Sequence, residues 1–189
     1  MKIIKKEFDN SVEDIWKSKE VNFNGDPFMS IKKSRDYYIY AERVGIDSIA
    51  FILYDKNKNR FALIQESKPP LDTNEYLVSL VTAFGGSMDI DITPQEICKI
   101  EVEEEAGYEV ELEKIHFVGE SLVSTQMSQI CKLFLVDVTD NQKTKKAEYE
   151  IENKHQDDSI IWLNRDEVMD NGDWKSIYII SKMDYLGIE

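Results

Sequence analysis

Residues 93–108 read TPQEICKIEVEEEAGY and carry five glutamates, Glu96, Glu101, Glu103, Glu104 and Glu105. At about 100° of rotation per helical residue, Glu101, Glu104 and Glu105 fall within a sector of about 100°, whereas Glu103 points away. Like charges three and four residues apart each destabilise a helix by a few tenths of a kcal/mol. They also crowd the C-terminal end, where the macrodipole disfavours negative charge, and Lys99 is the one basic residue in the run. A hard divalent cation with oxygen ligands would offset that repulsion. By spacing alone, an ordinary solvated acidic face is the better account of the pattern.

The element that must carry these carboxylates is well signed. Thr93 caps a helix, Pro94 suits its first position, where no amide bond is lost, and Glu96 completes a capping box. Gly107 fits the left-handed residue just beyond the end, so the signals predict a helix over 94–106. Ile97, Ile100 and Ala106, with Cys98 and Val102 beside them, supply its apolar positions. Around it lie runs rich in aromatic and β-branched residues, which predict strands. These are YYIYAERV at 37–44, SIAFILY at 48–54 and FALIQE at 61–66, the last two joined by the polar turn DKNKNR into a hairpin. YLVSLVTAF at 76–84 predicts one strand running into Gly85 and Gly86, VELEKIHFVG and SQICKLFLVDV predict two more, and SIIWL at 159–163 a last one. Near the start, NSVEDIWKSK predicts a turn or two of helix. NRDE at 164–167 opens a short helix through a second capping-box pattern, and DWKSIYIISKMDYL continues with apolar residues at helical spacing. The fold class is α+β with a mixed sheet.

With 189 residues, 42% of them hydrophobic, the chain can bury a core of its own as one domain. Acidic residues outnumber basic ones 37 to 23, for a net charge of -14. That surface repels phosphate backbones and anionic membranes, which excludes nucleic-acid polymer and membrane as partners. A small phosphorylated ligand requires metal or a local basic group to screen the repulsion. Cys98 and Cys131 have no zinc-site spacing and read as buried thiols. No signal peptide or membrane-length apolar run is visible, so cytoplasm is the default compartment.

Taken together, Gly86, Glu101, Val102, Glu104, Glu105, Gly107 and Tyr108 resemble the Nudix box, G-x5-E-x7-R-E-U-x-E-E-x-G-U with U bulky and apolar, in register from end to end. The flanks ALIQESKPP, YLVSLVTAFGG, SQICKLFLVDVTDN and SIIWLNRDEV resemble the ADP-ribose pyrophosphatase-like branch of the Nudix hydrolase superfamily. The resemblance implies a mixed sheet sandwiched by helices (α/β/α) over residues 37–189, with residues 1–36 a β-rich extension that would dimerise the chain. Two positions depart from the box: its first glutamate is Ile92 and its arginine is Ile100. An apolar contact between Ile92 and Ile100 replacing an ion pair would preserve the fold.

The implied activity is hydrolysis of a nucleoside diphosphate joined to another group, with ADP-ribose, cleaved to AMP and ribose 5-phosphate, the leading substrate. Another nucleotide sugar, a dinucleotide or a nucleotide cap is the alternative within enzymes. Glu101, Glu104 and Glu105 would hold Mg2+ or Mn2+, which lowers the pKa of a bound water. Residues 142–158 offer Glu148, Glu150, Glu152, Asp157 and Asp158 as a general base, of which Glu152 is favoured. Lys68, Gly86 and Gln129 are the candidate substrate contacts, and the aromatics Phe28, Tyr37, Tyr38 and Tyr40 are candidates to stack on a base. The rival from another class is a catalytically silent domain that binds a nucleotide ligand or a protein partner, for which Ile92 and Ile100 are the evidence.

Overall fold

A computed structural model describes residues 12–21, 25–34, 37–43, 46–73, 75–144 and 159–188. The chain divides into two compact units. The first comprises Met1–Ser48, Ser87–Asp91 and Glu120–Cys131, and the second Ile49–Gly86, Ile92–Gly119 and Lys132–Glu189.

In the first unit, β1 (Glu13–Lys17), β2 (Ser30–Lys33) and β3 (Ile39–Glu42) form an antiparallel meander. The expected helix over NSVEDIWKSK is β1 instead. Its stretch EDIWK pairs with SIKK of β2 in the register Glu13↔Lys33 to Lys17↔Ser30, broken by an irregularity between Asp14 and Trp16. A helix this short is marginal, and a partner strand supplies the backbone bonds that a weak local preference does not. β3 runs parallel to the start of β9 (Met127–Asp137) at Ala41↔Met127, which makes the pairing mixed as expected.

The second unit holds the hydrophobic core. β4 (Ser48–Asp55) and β5 (Arg60–Ser67) make the anticipated hairpin, with Tyr54 opposite Phe61 and their rings stacked 4.8 Å apart. Phe51, Leu53, Phe61, Leu63, Leu133, Phe134 and Leu135 are essentially excluded from solvent. The single strand expected over 76–84 is two: β6 (Ser79–Thr82) pairs with β5, and β7 (Phe84–Ser87) pairs with β4. Its break has a clear origin. One edge of β5 is taken by β10 (Ser159–Leu163) over Phe61 to Gln65. The other edge is shared, β4 meeting Arg60 to Ala62 and β6 meeting Ile64 to Ser67. The chain therefore changes partner at Ala83, and Phe84 then stacks on Phe51 of β4 at 5.0 Å.

β8 (Ile115–Ser124) pairs with β9, and a 3-10 turn, Leu112–Lys114, leads into it. After β10, α2 (Arg165–Asn171) starts on the expected capping box, Asn164 accepting from the Glu167 amide at 3.0 Å while Glu167 accepts from the Asn164 amide at 2.7 Å. α2 packs on β5, β10 and α3 (Trp174–Leu186). Both cysteines are buried, and neither forms a disulfide. Among the described residues no helix is long and apolar enough to cross a membrane.

Candidate functional site

The glutamate-bearing helix starts as the sequence predicts. Thr93 adopts extended backbone, its hydroxyl oxygen accepts from the Glu96 amide at 3.2 Å, and the Glu96 carboxylate accepts from the Thr93 amide at 2.8 Å. α1 proper is Pro94–Glu101, and the last turn, Val102–Ala106, is π-helical. Gly107 closes it in the left-handed region at φ 77, its amide reaching the carbonyls of Glu103 and Val102. The returning chain seals the end, since Thr144 donates its amide to the Gly107 carbonyl at 2.9 Å and Lys143 bridges Tyr108.

The widened turn changes the expected arrangement of carboxylates. Bonding five residues back lowers the angular step below the α-helical one, so Glu105 swings toward the line of Glu101 while Glu104 rotates off it. Glu101, Glu103 and Glu105 are half-buried and Glu104 is exposed. The buried face consists of Ile97, Cys98, Val102 and Ala106. Ile100 lies off that face, and Ile92 and Ile100 are each 39% exposed. Burial, with the Glu101 charge second, pushes the Cys98 thiol far above its ordinary range. Cys98 is thus an inert core group.

Gly86 is where strand and helix meet. A Cβ built there would overlap the Cγ, Cδ and Oε1 of Glu101. Any side chain at this position would have to push the Glu101 side chain out of its present seat. Lys99, the helix's one cation, points elsewhere and lies 3.9 Å from Glu111.

The other candidates sit as follows. Lys68, just past β5, pairs with Glu66, and the same Glu66 oxygen accepts from the Thr82 hydroxyl at 2.8 Å. Gln129 belongs to the first unit, is 6% exposed and donates its amide to the Ile46 carbonyl at 3.4 Å. Glu152, like Glu148, Glu150, Asp157 and Asp158, lies outside the described residues. In the first unit, Arg43 places its guanidinium 4.9 Å from the Phe28 ring centroid and donates to the Ser87 hydroxyl at 3.2 Å.

The donor chemistry fits a hard cation: oxygen-only side chains on one turn, with Glu101 fixed against Gly86. Among the described residues, no three His, Cys, Asp or Glu side chains converge closely enough to hold an ion. A metal would therefore have to gather them.

Sequence reasoning missed Asp173. It caps α3, accepting from the Ser176 amide at 3.0 Å, and it also accepts from the Ala83 amide at 3.2 Å. The cap was readable from Asp173 preceding a helical run; the bond across 90 residues was not.

No family model matches the sequence, and no curated protein matches it. Solved structures do. A crystal structure of an ADP compounds hydrolase superposes with a TM-score of 0.65 at 11% identity, covering 93% of this chain and 91% of that one. The solution structure of the E. coli ORF135 protein superposes with a TM-score of 0.52 at 18% identity, covering 76% and 91%. The likeness establishes the fold.

Proposed function

We propose, from the Nudix fold that this chain adopts, that it is a metal-dependent pyrophosphohydrolase cleaving a nucleoside diphosphate linked to a second group. ADP-ribose is the leading substrate, with AMP and ribose 5-phosphate as products. The observation that carries the reading is the seating of Glu101 against Gly86, with Glu104 and Glu105 on the turn that follows. The structural likeness to an ADP compounds hydrolase supports the substrate class.

Glu101, Glu104 and Glu105 would hold Mg2+ or Mn2+, which when bound neutralises diphosphate charge and acidifies a coordinated water. The chain's own residues do the rest. Gly86, bare of a side chain, leaves the room in which the Glu101 carboxylate sits against the strand. Lys68 supplies a cation after exchanging Glu66 for phosphate oxygen. A carboxylate from the segment 145–158, Glu152 in our assignment, would take the proton from the attacking water. The water oxygen bonds to one phosphorus, the bridging P–O bond breaks, and the leaving phosphate retains the bridging oxygen. A homodimer built through the N-terminal β-element and a cytoplasmic setting complete the proposal.

The test is incubation of the full chain with ADP-ribose and Mg2+ or Mn2+, following AMP and ribose 5-phosphate. Metal-dependent release of both supports the reading. A second reading, a silent domain that binds nucleotide, draws on the exposed Ile92 and Ile100 and on the absence of three convergent metal-holding side chains among the described residues. It prevails if a panel of nucleoside diphosphate compounds shows binding by calorimetry and no turnover with either metal.

A further inference from the structure

Ala83 occupies the single residue between β6, which pairs with β5, and β7, which pairs with β4. It is 4% exposed, and a buried amide at a change of partner needs an acceptor from elsewhere. Asp173 provides it. Its Oδ1 accepts from the Ala83 amide at 3.2 Å, from the Ser176 amide at 3.0 Å and from the Ser176 hydroxyl at 2.6 Å, while its Oδ2 pairs with Lys175 Nζ at 2.9 Å. A carboxylate gripped by that many donors is fixed in place. The preceding residue is tied down as well, Thr82 donating its hydroxyl to Glu66.

We propose that Asp173 is a positioning residue for the candidate catalytic site: by holding the Ala83 amide it fixes where β7 begins, and so where Gly86, three residues on, meets Glu101. The inference rests on the hydrolase reading of that site. In this role Asp173 acts through the backbone of β7. The rival explanation is that Asp173 serves α3 alone, as an ordinary cap.

Three variants of the full chain separate these accounts, read by kcat and KM for ADP-ribose, by Mn2+ affinity from electron paramagnetic resonance, and by Tm. Asp173→Ser keeps a good capping residue but shortens the arm that reaches Ala83. It is expected to lower kcat about tenfold or more and to weaken Mn2+ binding, with KM changed less. Asp173→Asn retains an acceptor oxygen for Ala83 and recovers most of that loss. Ser176→Ala strips a donor from the same carboxylate and leaves the Ala83 bond in place, so it lowers Tm without lowering kcat.

Asp173→Ser with kcat and Mn2+ affinity within about twofold of the parent overturns the proposal, as does Ser176→Ala matching it in both. Should Asp173→Ser not fold, Asp173→Glu, which displaces the same charge, takes its place with the same readings. If the parent protein hydrolyses nothing, the hydrolase reading fails on its own account. Amide hydrogen exchange at Gly85 and Gly86 then decides the tether: exchange faster in Asp173→Ser than in Ser176→Ala upholds it, and equal exchange refutes it.

Discussion

The side chain of Glu101 fills the space that a side chain at Gly86 would require. Two positions fifteen residues apart in sequence thus compete for one volume while Glu101 keeps its present seat. A methyl group at 86 must displace the carboxylate, and a misplacement of about 1 Å near reacting groups can cost about 100-fold in rate. Gly86→Ala is therefore expected to lower kcat at least tenfold. Circular dichroism and Tm near the parent's would show that the loss is local, and unchanged turnover would show that the seating of Glu101 against Gly86 has no part in the reaction.

The π-helical turn separates the glutamates into unequal partners. Glu101 and Glu105 are half-buried and Glu104 is exposed, so under the proposed metal-holding role Glu104 is the partner expected to contribute least. Glu105→Gln is expected to remove most turnover, about 100-fold or more, with the fold intact. Glu104→Gln should weaken Mn2+ binding less than Glu101→Gln or Glu105→Gln does. Titration of Mn2+ into each variant checks the order.

His116, half-buried on β8, has a pH consequence. Burial pushes its imidazole below the ordinary range, Asp137 pulls it up and Lys56 pushes it down. A folded-state pKa below the unfolded value of about 6.5 favours the unfolded chain once that chain takes up a proton. Stability is complete above that pH and is lost as pH falls toward the depressed folded value. Urea midpoints at pH 8 and pH 5 should drop further for the parent than for His116→Gln, and equal drops would remove His116 as the cause.

Thr93→Ala deletes the hydroxyl that accepts from the Glu96 amide and is expected to cost about 1 kcal/mol. Urea denaturation measures it. Because the cap stands at the opposite end of α1 from Glu101, the loss should appear in stability with KM unchanged.

Local chemistry made much of this fold legible in the sequence. Both capping boxes, at Thr93 and at Asn164, are decided by residues three apart, and the β4–β5 hairpin by a polar turn between two apolar runs. The outcome differed wherever distant partners decided. YLVSLVTAF carries continuous strand character, but β5 divides one edge between β4 and β6, and that division breaks the run at Ala83. EDIWK became a strand because SIKK lay ready to pair with it. Box spacing pointed to Glu101 and Gly86 but could not reveal that one fills the other's space. It also assumed a uniform helical step, which the turn at Val102–Ala106 does not keep.

The one-residue gap at Ala83 also sets a limit on length. Strand side chains alternate between faces, so a register slip of a single position turns every one of them over. Inserting or deleting one residue between Thr82 and Phe84 would either pull β6 off β5 or present Phe84 to the face opposite its stacking partner Phe51. Sequences that keep this architecture should therefore tolerate changes of residue at position 83 far more readily than changes in residue count there.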